Sequence, residues 1–536
     1  MASKMLDFVQ PALCSREELD ASVIGGQWAS SPRAVTERIF WLFIVAHVVV
    51  WTALPVWTQP NRPLDMVEML FWGHGWQWGY HKHPPLPAWI AESVFQLSAG
   101  AMWTLYLTAQ LGVATSFWAA WKLAQEFLAP WPALCASLLL EASVNYNLMS
   151  ADVNNSIILQ PLWALAALFL YRAVTREKIG YWLATGLCLG LGMLAKYDIA
   201  VLALAMLMLP VVNARARAAL AGWGPYLALG VALLIFAPHV AWLVNHHFPT
   251  IEYALRRGHN ARSWWGHVVN PVEFVLSQLL FHAWIIGLTF PLWRHKRSLG
   301  LADRDAWQRD FLLVICLAPL GIDLAISLAC GVQLQSMWGA PMWTYSGVLL
   351  MVWASSSASW LLCRAIIVRT AMVGVLFAVA FVGRNVALPH LRSHPSRVHF
   401  PGEQLARTVE SRWREHSNHR LQVVAGPWWT AANVSLHVTG RADAYDFTEP
   451  ERIPWVDDAT LRRRGGVILW EDVAINEDYP AEVRRRFPDA KMLSPITLRW
   501  LTSAKIPPAR FLLAIVPESP APANIQTAST ERRRSR

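Results

Sequence analysis

Between Asp65 and Ile90 the chain reads DMVEMLFWGHGWQWGYHKHPPLPAWI. Asp65 and Glu68 stand three apart, so a helix here puts both acids on one face while Val67, Leu70 and Phe71 take the apolar side. A carboxylate in a partly dry setting has a raised pKa and suits a general base; a solvated acidic pair on an amphipathic loop helix is the alternative. Tyr80, His81, Lys82 and His83 then run into Pro84-Pro85, whose fixed φ imposes an extended turn and aims the preceding side chains. Such donors suit a phosphate or carboxylate ligand, or else anchor the loop to anionic headgroups.

Three further polar clusters carry comparable chemistry. Asp152 precedes Asn154 and Asn155 at the start of an apolar run, where it either caps a helix or contacts a substrate or metal. Lys196, in Lys196-Tyr197-Asp198, ends another such run and either donates to phosphate or snorkels to the interface. The stretch HHFPTIEYALRRGHNARSWWGH carries His246, His247, Glu252, Arg256, Arg257, His259, Arg262 and His267. No H-E-x-x-H or other fixed metal spacing is present there, so arginines that bind the anionic part of a lipid donor are the stronger reading.

The elements that must position these groups follow from composition. With 536 residues, 55% hydrophobic and 15% charged, the chain is a polytopic membrane protein and not one soluble domain. After a cytoplasmic tail over 1–38, eleven spans are predicted near 39–57, 102–121, 131–150, 155–171, 181–195, 199–212, 222–244, 271–293, 310–330, 339–355 and 365–383. Residues 1–38 lack the form of a secretory signal, which predicts an uncleaved first span. Leu86–Leu97 is too short to span and reads as an interfacial helix, like the loop helix expected over 64–74. With the N-terminus inside, this topology puts seventeen Lys and Arg on the cytoplasmic side and six on the other before residue 384, a positive-inside pattern. The net charge of +10 is therefore a topology signal and does not imply nucleic acid.

Under this topology every polar cluster above falls on the outer face, at one membrane depth. From Arg384 the long apolar runs stop and about half of all charged residues follow. Strand-like runs at 421–425, 466–470, 496–500 and 511–516, with helical stretches at 402–416 and 481–487, predict a separate periplasmic α/β domain over 384–516. The Pro-, Ala-, Ser- and Arg-rich end, 517–536, reads as disordered. Six scattered cysteines suggest neither disulfides nor a metal site, and Gly186-x-x-x-Gly190 inside an apolar helix suggests close helix packing. Most of the 31 tryptophans read as interfacial belt residues, with some of Trp72, Trp76, Trp78 and Trp89 free to stack on a sugar or cover a polyprenyl chain.

Taken in order, these motifs resemble the GT-C membrane glycosyltransferases, in the branch of the bacterial protein mannosyltransferases and the lipid A aminoarabinose transferases. The resemblance covers roughly residues 39–360. It rests on Asp65 after the first span, His83-Pro84-Pro85-Leu86 with Trp89, Asp152 at the end of a later span, Lys196 in Ala-Lys-Tyr, and His259-x-x-Arg262. It implies a polyprenyl-phosphate sugar donor, inverting transfer at the extracytoplasmic face of a bacterial inner membrane, and a glycolipid, glycan or protein acceptor. Asp65 would be the base and Asp152 would shape the site; His83, Lys196 and Arg262 would contact the leaving phosphate, joined by Lys82 and Arg256. Glu68, Tyr80 and His259 are auxiliary, and His259 is the candidate ligand for the divalent metal that some members bind. Met66 stands where a second acid is common, Lys82 where an acid is, and Gln333 and Gln335 where a lysine is frequent, which leaves the donor sugar and the metal open. A protein O-mannosyltransferase is the second enzymatic reading. A transporter or flippase of lipid-linked sugar is the rival from another class, less favoured because few charges lie deep in the spans and no internal repeat is visible.

Overall fold

The computed structural model describes residues 31–258, 264–293, 301, 304–354, 359–392, 394–471, 479–502 and 505–519. Helix α1 (Pro32–Thr58) opens on a Ser31 side chain that accepts the Ala34 N–H. Two short helices follow, α2 (Leu64–Gly73) and α3 (Leu86–Leu97), then α4 (Met102–Ala124), α5 (Pro130–Leu138), α6 (Asn155–Arg176), α7 (Ile179–Ala195) and α8 (Ile199–Val212). The chain continues as α9 (Ala214–Ala219), α10 (Gly224–Asn245), α11 (Pro249–Gly258), α12 (Gly266–Phe281), α13 (Ala283–Trp293), α14 (Ala306–Cys330), α15 (Ser346–Trp353) and α16 (Trp360–Val382).

Helices occupy all or part of each of the eleven stretches predicted as spans. Among the described residues, five are long and apolar enough to cross a membrane: α1, α6, α10, α14 and the stretch from Trp360 to Leu391. A sixth is added if α12 and α13, bent by 65° at His282, count as one span.

Three predicted spans depart from a single helix, each where a polar side chain captures the ladder. In 131–150 the α-helix ends at Leu138, and the Asn147 amide donates to the carbonyls of Glu141 and Ser143 at 2.6 and 3.1 Å, replacing helical bonds. In 271–293 the break falls at His282, whose ring lies 2.8 Å from the Gln278 carbonyl and 3.3 Å from Ser143 Oγ. In 339–355 a 3₁₀ segment, Ser336–Tyr345, precedes α15. There Gln278 donates to the Ser336 carbonyl at 2.9 Å and accepts from Trp343 at 3.1 Å.

Beyond residue 400 lie α17 (Gly402–Arg414), β1 (Val423–Gly426), α18 (Trp428–Ser435), β2 (Asp443–Asp446), α19 (Asp458–Arg464), β3 (Gly466–Glu471), α20 (Tyr479–Arg486), β4 (Lys491–Met492), β5 (Ile496–Leu498) and β6 (Ala509–Val516). The sheet order is β2-β1-β3-β6-β4, with β5 also on β6; β1 is parallel to β2 and β3, and β6 is antiparallel to its partners. The predicted strands are present, whereas β2, β4, α18 and α19 are additions.

This α/β unit is not a separate body. Met66, Val67, Leu70, Trp72 and Tyr80, around α2, and Ala88 and Ala91, on α3, belong to one buried cluster with Phe400, Val424, Ile468 and Leu513. The correction has a simple cause: α2 is buried on nearly every face, so its apolar side meets protein and not lipid. A second large cluster, built from α4 to α8 and α14 to α16, forms the core of the helical bundle.

The α2–α3 crossing is close because Gly73 lacks a side chain. A Cβ there would stand 2.4 Å from the Ala88 carbonyl oxygen and 2.7 Å from Glu92 Cβ. We expect Gly73→Ala to lower stability by about 1–3 kcal/mol through overpacking, read as a lower melting temperature in detergent; an unchanged melt would show that the crossing relaxes freely.

Candidate active site

Asp65 lies in the first turn of α2, partly buried. Asp152 lies near the start of the same helix, where the backbone N–H groups of Val153, Met66 and Asp65 favour its carboxylate electrostatically. The cap of α6 is instead Asn154, whose side chain accepts from Ser156 and Ile157 N–H, each at 3.0 Å. Asn155 donates to the Ala195 carbonyl at 2.9 Å, tying α6 to the end of α7. The next residue, Lys196, is thereby brought out extended, its Nζ 2.6 Å from Asp198 Oδ2 and 3.3 Å from Ser156 Oγ, over the Trp338 ring.

The Tyr80–Pro85 segment closes on itself, Tyr80 N–H donating to the His83 carbonyl at 3.1 Å. Lys82 Nζ stands 2.5 Å from Glu68 Oε1 and within 6 Å of the rings of Trp72, Tyr253 and Trp428. Helix α11 is fastened above by Thr250, which donates to the Tyr80 carbonyl at 3.0 Å. Tyr253 then presents its ring edgewise to His81 and His83, and Arg257 donates to the Tyr253 hydroxyl at 2.9 Å.

Burial dominates the electrostatics. It lifts the Asp65 carboxyl above the ordinary range against the pull of Lys82, Arg397 and Arg257 and a hydrogen bond from Asn154. Asp152 is lifted well above that range by burial and by the like charge of Asp65, and its Oδ1 is buried with no hydrogen-bond partner. The pair therefore divides its roles, with the proton favoured at Asp152 and Asp65 the more readily ionised carboxylate, free to accept a proton. Burial, then Lys196, Lys82 and Arg257, press His83 down to about 3, and burial, with Arg452 and Lys82 next, takes His81 to about 4.

Of the predicted residues, the structure brings together Asp65, Asp152, Glu68, Lys82, His83 and Lys196. Three need correction. His83 is a neutral imidazole and not a cation, because three nearby cations and burial oppose its protonation. Arg256 is exposed and paired with Glu252 one turn back at 3.5 Å; the helical turn of α11 gives Arg257, not Arg256, the charge that reaches both Asp65 and His83. Tyr80 is a core residue stacked on Trp72 and edge-on to Trp455. His259 and Arg262 lie outside the described residues. Among the described residues no three His, Cys, Asp or Glu side chains converge as a metal-ion set.

Sequence reasoning missed Tyr253, Trp428, Arg397 and Arg452, the last of which acts electrostatically on Glu68 and His81. Tyr253 was readable as the i−4 partner of Arg257 on a helix. The other three arrive from the C-terminal unit, and no local signal marks them.

The helical bundle and α/β unit together match the structure of ArnT from Cupriavidus metallidurans bound to undecaprenyl phosphate with a TM-score of 0.62, covering 90% of this chain and 98% of that one at 13% identity. The chain has the GT-C membrane glycosyltransferase fold. Residues 82–242 match the family model described as dolichyl-phosphate-mannose-protein mannosyltransferase, a segment that contains Lys82, His83, Asp152 and Lys196. The chain is also similar to the lipopolysaccharide core galacturonosyltransferase RgtB of Rhizobium johnstonii, 24% identical over 320 residues that cover 57% of this chain and 63% of the relative. The undecaprenyl phosphate-alpha-4-amino-4-deoxy-L-arabinose arabinosyl transferase of Pectobacterium carotovorum is 30% identical over 284 residues, covering 48% of this chain and 47% of the relative. The chain thus spans less than two thirds of the length of either relative.

With a folded-state pKa near 3, His83 stays neutral throughout the neutral range. Histidine-selective NMR should show no midpoint for His83 between pH 5 and 8, and its assignment follows from loss of that signal in His83→Gln. A midpoint within the window would place His83 in water and not among cations.

Proposed function

We propose that the protein is a glycosyltransferase of the bacterial inner membrane that moves a sugar from a polyprenyl-phosphate donor to a cell-envelope glycolipid on the periplasmic side. The carrying observation is a partly buried carboxylate, Asp65, under the charges of Lys82, Arg397 and Arg257, beside the neutral donor His83, on which Lys196, Lys82 and Arg257 act. The relatives named above act on lipopolysaccharide or use an undecaprenyl-phosphate sugar, which supports this donor and acceptor class.

In this reading Asp65 takes the proton of the acceptor hydroxyl as that oxygen attacks the anomeric carbon. The bond from that carbon to the phosphate oxygen breaks in the same displacement and the configuration inverts. The departing phosphate gains negative charge, which Lys196 and Arg257 offset while His83 supplies an uncharged N–H. Lys196 must then exchange its Asp198 partner for phosphate. Asp152 holds the first turn of α2, and so the Asp65 backbone, in place. Arg262 and a metal at His259 remain proposed contributors.

We further propose that eleven spans carry the site, with the N-terminus inside and the α/β unit outside. The placement of all the polar clusters near one end of the helices supports this. The family-model match over 82–242 supports a second reading, with a protein hydroxyl as acceptor. Mass spectrometry of lipid A, core glycan and envelope proteins, with and without the protein, separates the two by which species loses a sugar.

Asp65→Asn should abolish transfer while the chain still expresses and binds undecaprenyl phosphate; transfer at the wild-type rate would refute the base, and normal export of a lipid-linked sugar without any bond made would favour a transporter. Because burial raises the Asp65 pKa, kcat/KM should rise with pH through a midpoint above the ordinary aspartate value of about 3.9. A profile flat from pH 4 to 8 would contradict that assignment. For topology, a reporter fused after Arg384 should be active outside the cytoplasm, and cytoplasmic activity would reverse the eleven-span arrangement.

A further inference from the structure

Helix α2 carries Asp65 in its first turn, but it is fastened at the other end. Arg441, in the turn before β2, places one guanidinium nitrogen 2.7 and 2.6 Å from the two carboxylate oxygens of Glu92 on α3. Another nitrogen donates to the Leu70 carbonyl of α2 at 2.7 Å. The guanidinium also lies over the Phe95 ring, 4.6 Å from its centroid. Glu92 is fully buried and takes a further bond from Gln96 at 2.7 Å. His74, just past the end of α2, bridges Glu92 at 3.5 Å and Asp443, the first residue of β2, at 3.2 Å. Asp443 in turn meets Arg464 from the end of α19 at 2.7 Å.

Two features set this group apart from ordinary packing. Arg441 has φ +49°, a left-handed backbone that residues other than glycine seldom adopt, so the surrounding structure holds it there. A buried pair of this kind gives little stability over apolar packing, and its attested use is to fix register. Apolar burial is non-directional and lets a short helix slide or rotate, whereas charge-assisted bonds to a carboxylate and a carbonyl set its place along the axis. Arg441 bonds to Glu92 and Leu70 and not to Lys82 or Lys196, so it acts on chemistry through the two helices it joins, α2 and α3.

We propose that Arg441 is a positioning residue for Asp65: the C-terminal unit, through Arg441 and with His74 as a second tie, sets where α2 holds the base relative to the reacting groups. This rests on the reading of Asp65 as the base.

The test compares R441M, R441K and D65N in the purified full chain. Hydrogen exchange of the α2 amides gives a readout independent of transfer, while kcat and KM are taken with a membrane lipid extract as the source of donor and acceptor. R441M should speed α2 exchange at least tenfold and lower kcat per folded protein by roughly 100-fold, the scale of a 1 Å misplacement, with KM within error; the melting transition falls too, because Glu92 is left buried without its cation. R441K, which keeps a charge near Glu92 and loses the Leu70 bond, should fall between. Wild-type exchange and kcat in R441M overturn the proposal, as does a loss of kcat that only follows the loss of folded protein. Should R441M not fold, wild-type exchange and kcat in R441K overturn it equally. Full transfer by D65N would overturn the base and leave the exchange result to judge the clamp by itself.

Discussion

Hydrocarbon does not tolerate an unpaired charge, and this constraint arranges nearly everything else in the molecule. Asp65, Asp152 and Lys196 come from three separated places in the chain, yet each stands where an apolar helix begins or ends. A charge farther inside the bundle is paired: Glu141, which interrupts the helix after α5, meets His47 of α1 at 2.7 Å. Where charges gather at helix ends, several ends at one depth make a polar site without any dedicated motif. The α/β unit then covers that site and dries it, which raises the carboxyls of Asp65 and Asp152 and depresses His83.

The drying is balanced by cations that come from different elements. Lys82 is locked between Glu68 and three aromatic rings, so its charge has a fixed position instead of a flexible reach. Lys196 is held by Asp198 and Ser156, a looser arrangement from which a phosphate can compete for it. One lysine thus contributes a standing field and the other an exchangeable contact. A neutral His83 among them donates a hydrogen bond without adding a further charge to a crowded, water-poor space.

The bundle was legible because spans announce themselves by length, and the polar clusters because charge beside apolar runs is rare. Asp65, Glu68 and the Tyr80–Pro85 turn could be read directly, and the short Leu86–Leu97 run could be set aside as a loop helix by length and charge count. What could not be read is anything decided by distant contact. The breaks near Glu141, at His282 and before Tyr345 come from side chains that capture backbone carbonyls, which a hydropathy pattern does not register. Arg256 and Arg257 are adjacent and chemically identical in sequence, and only the phase of α11 separates them. Arg397, Trp428, Arg441 and Arg452 lie more than 300 residues from Asp65, in a unit whose composition suggested independence.

The shared core of α2, α3 and the C-terminal sheet also bears on the order in which the molecule can be made. The base-bearing segment leaves the ribosome soon after α1, while β1, β3 and β6, against which it packs, are translated only after every membrane helix. Until then α2 has neither its apolar cover nor the Arg441 clamp, and a ten-residue helix does not persist alone in water. Closing so long a loop is slow compared with local helix formation. The site is therefore begun first and completed last, and a bundle inserted without its final third has its acids and lysines but no dry pocket in which they differ from ordinary ones.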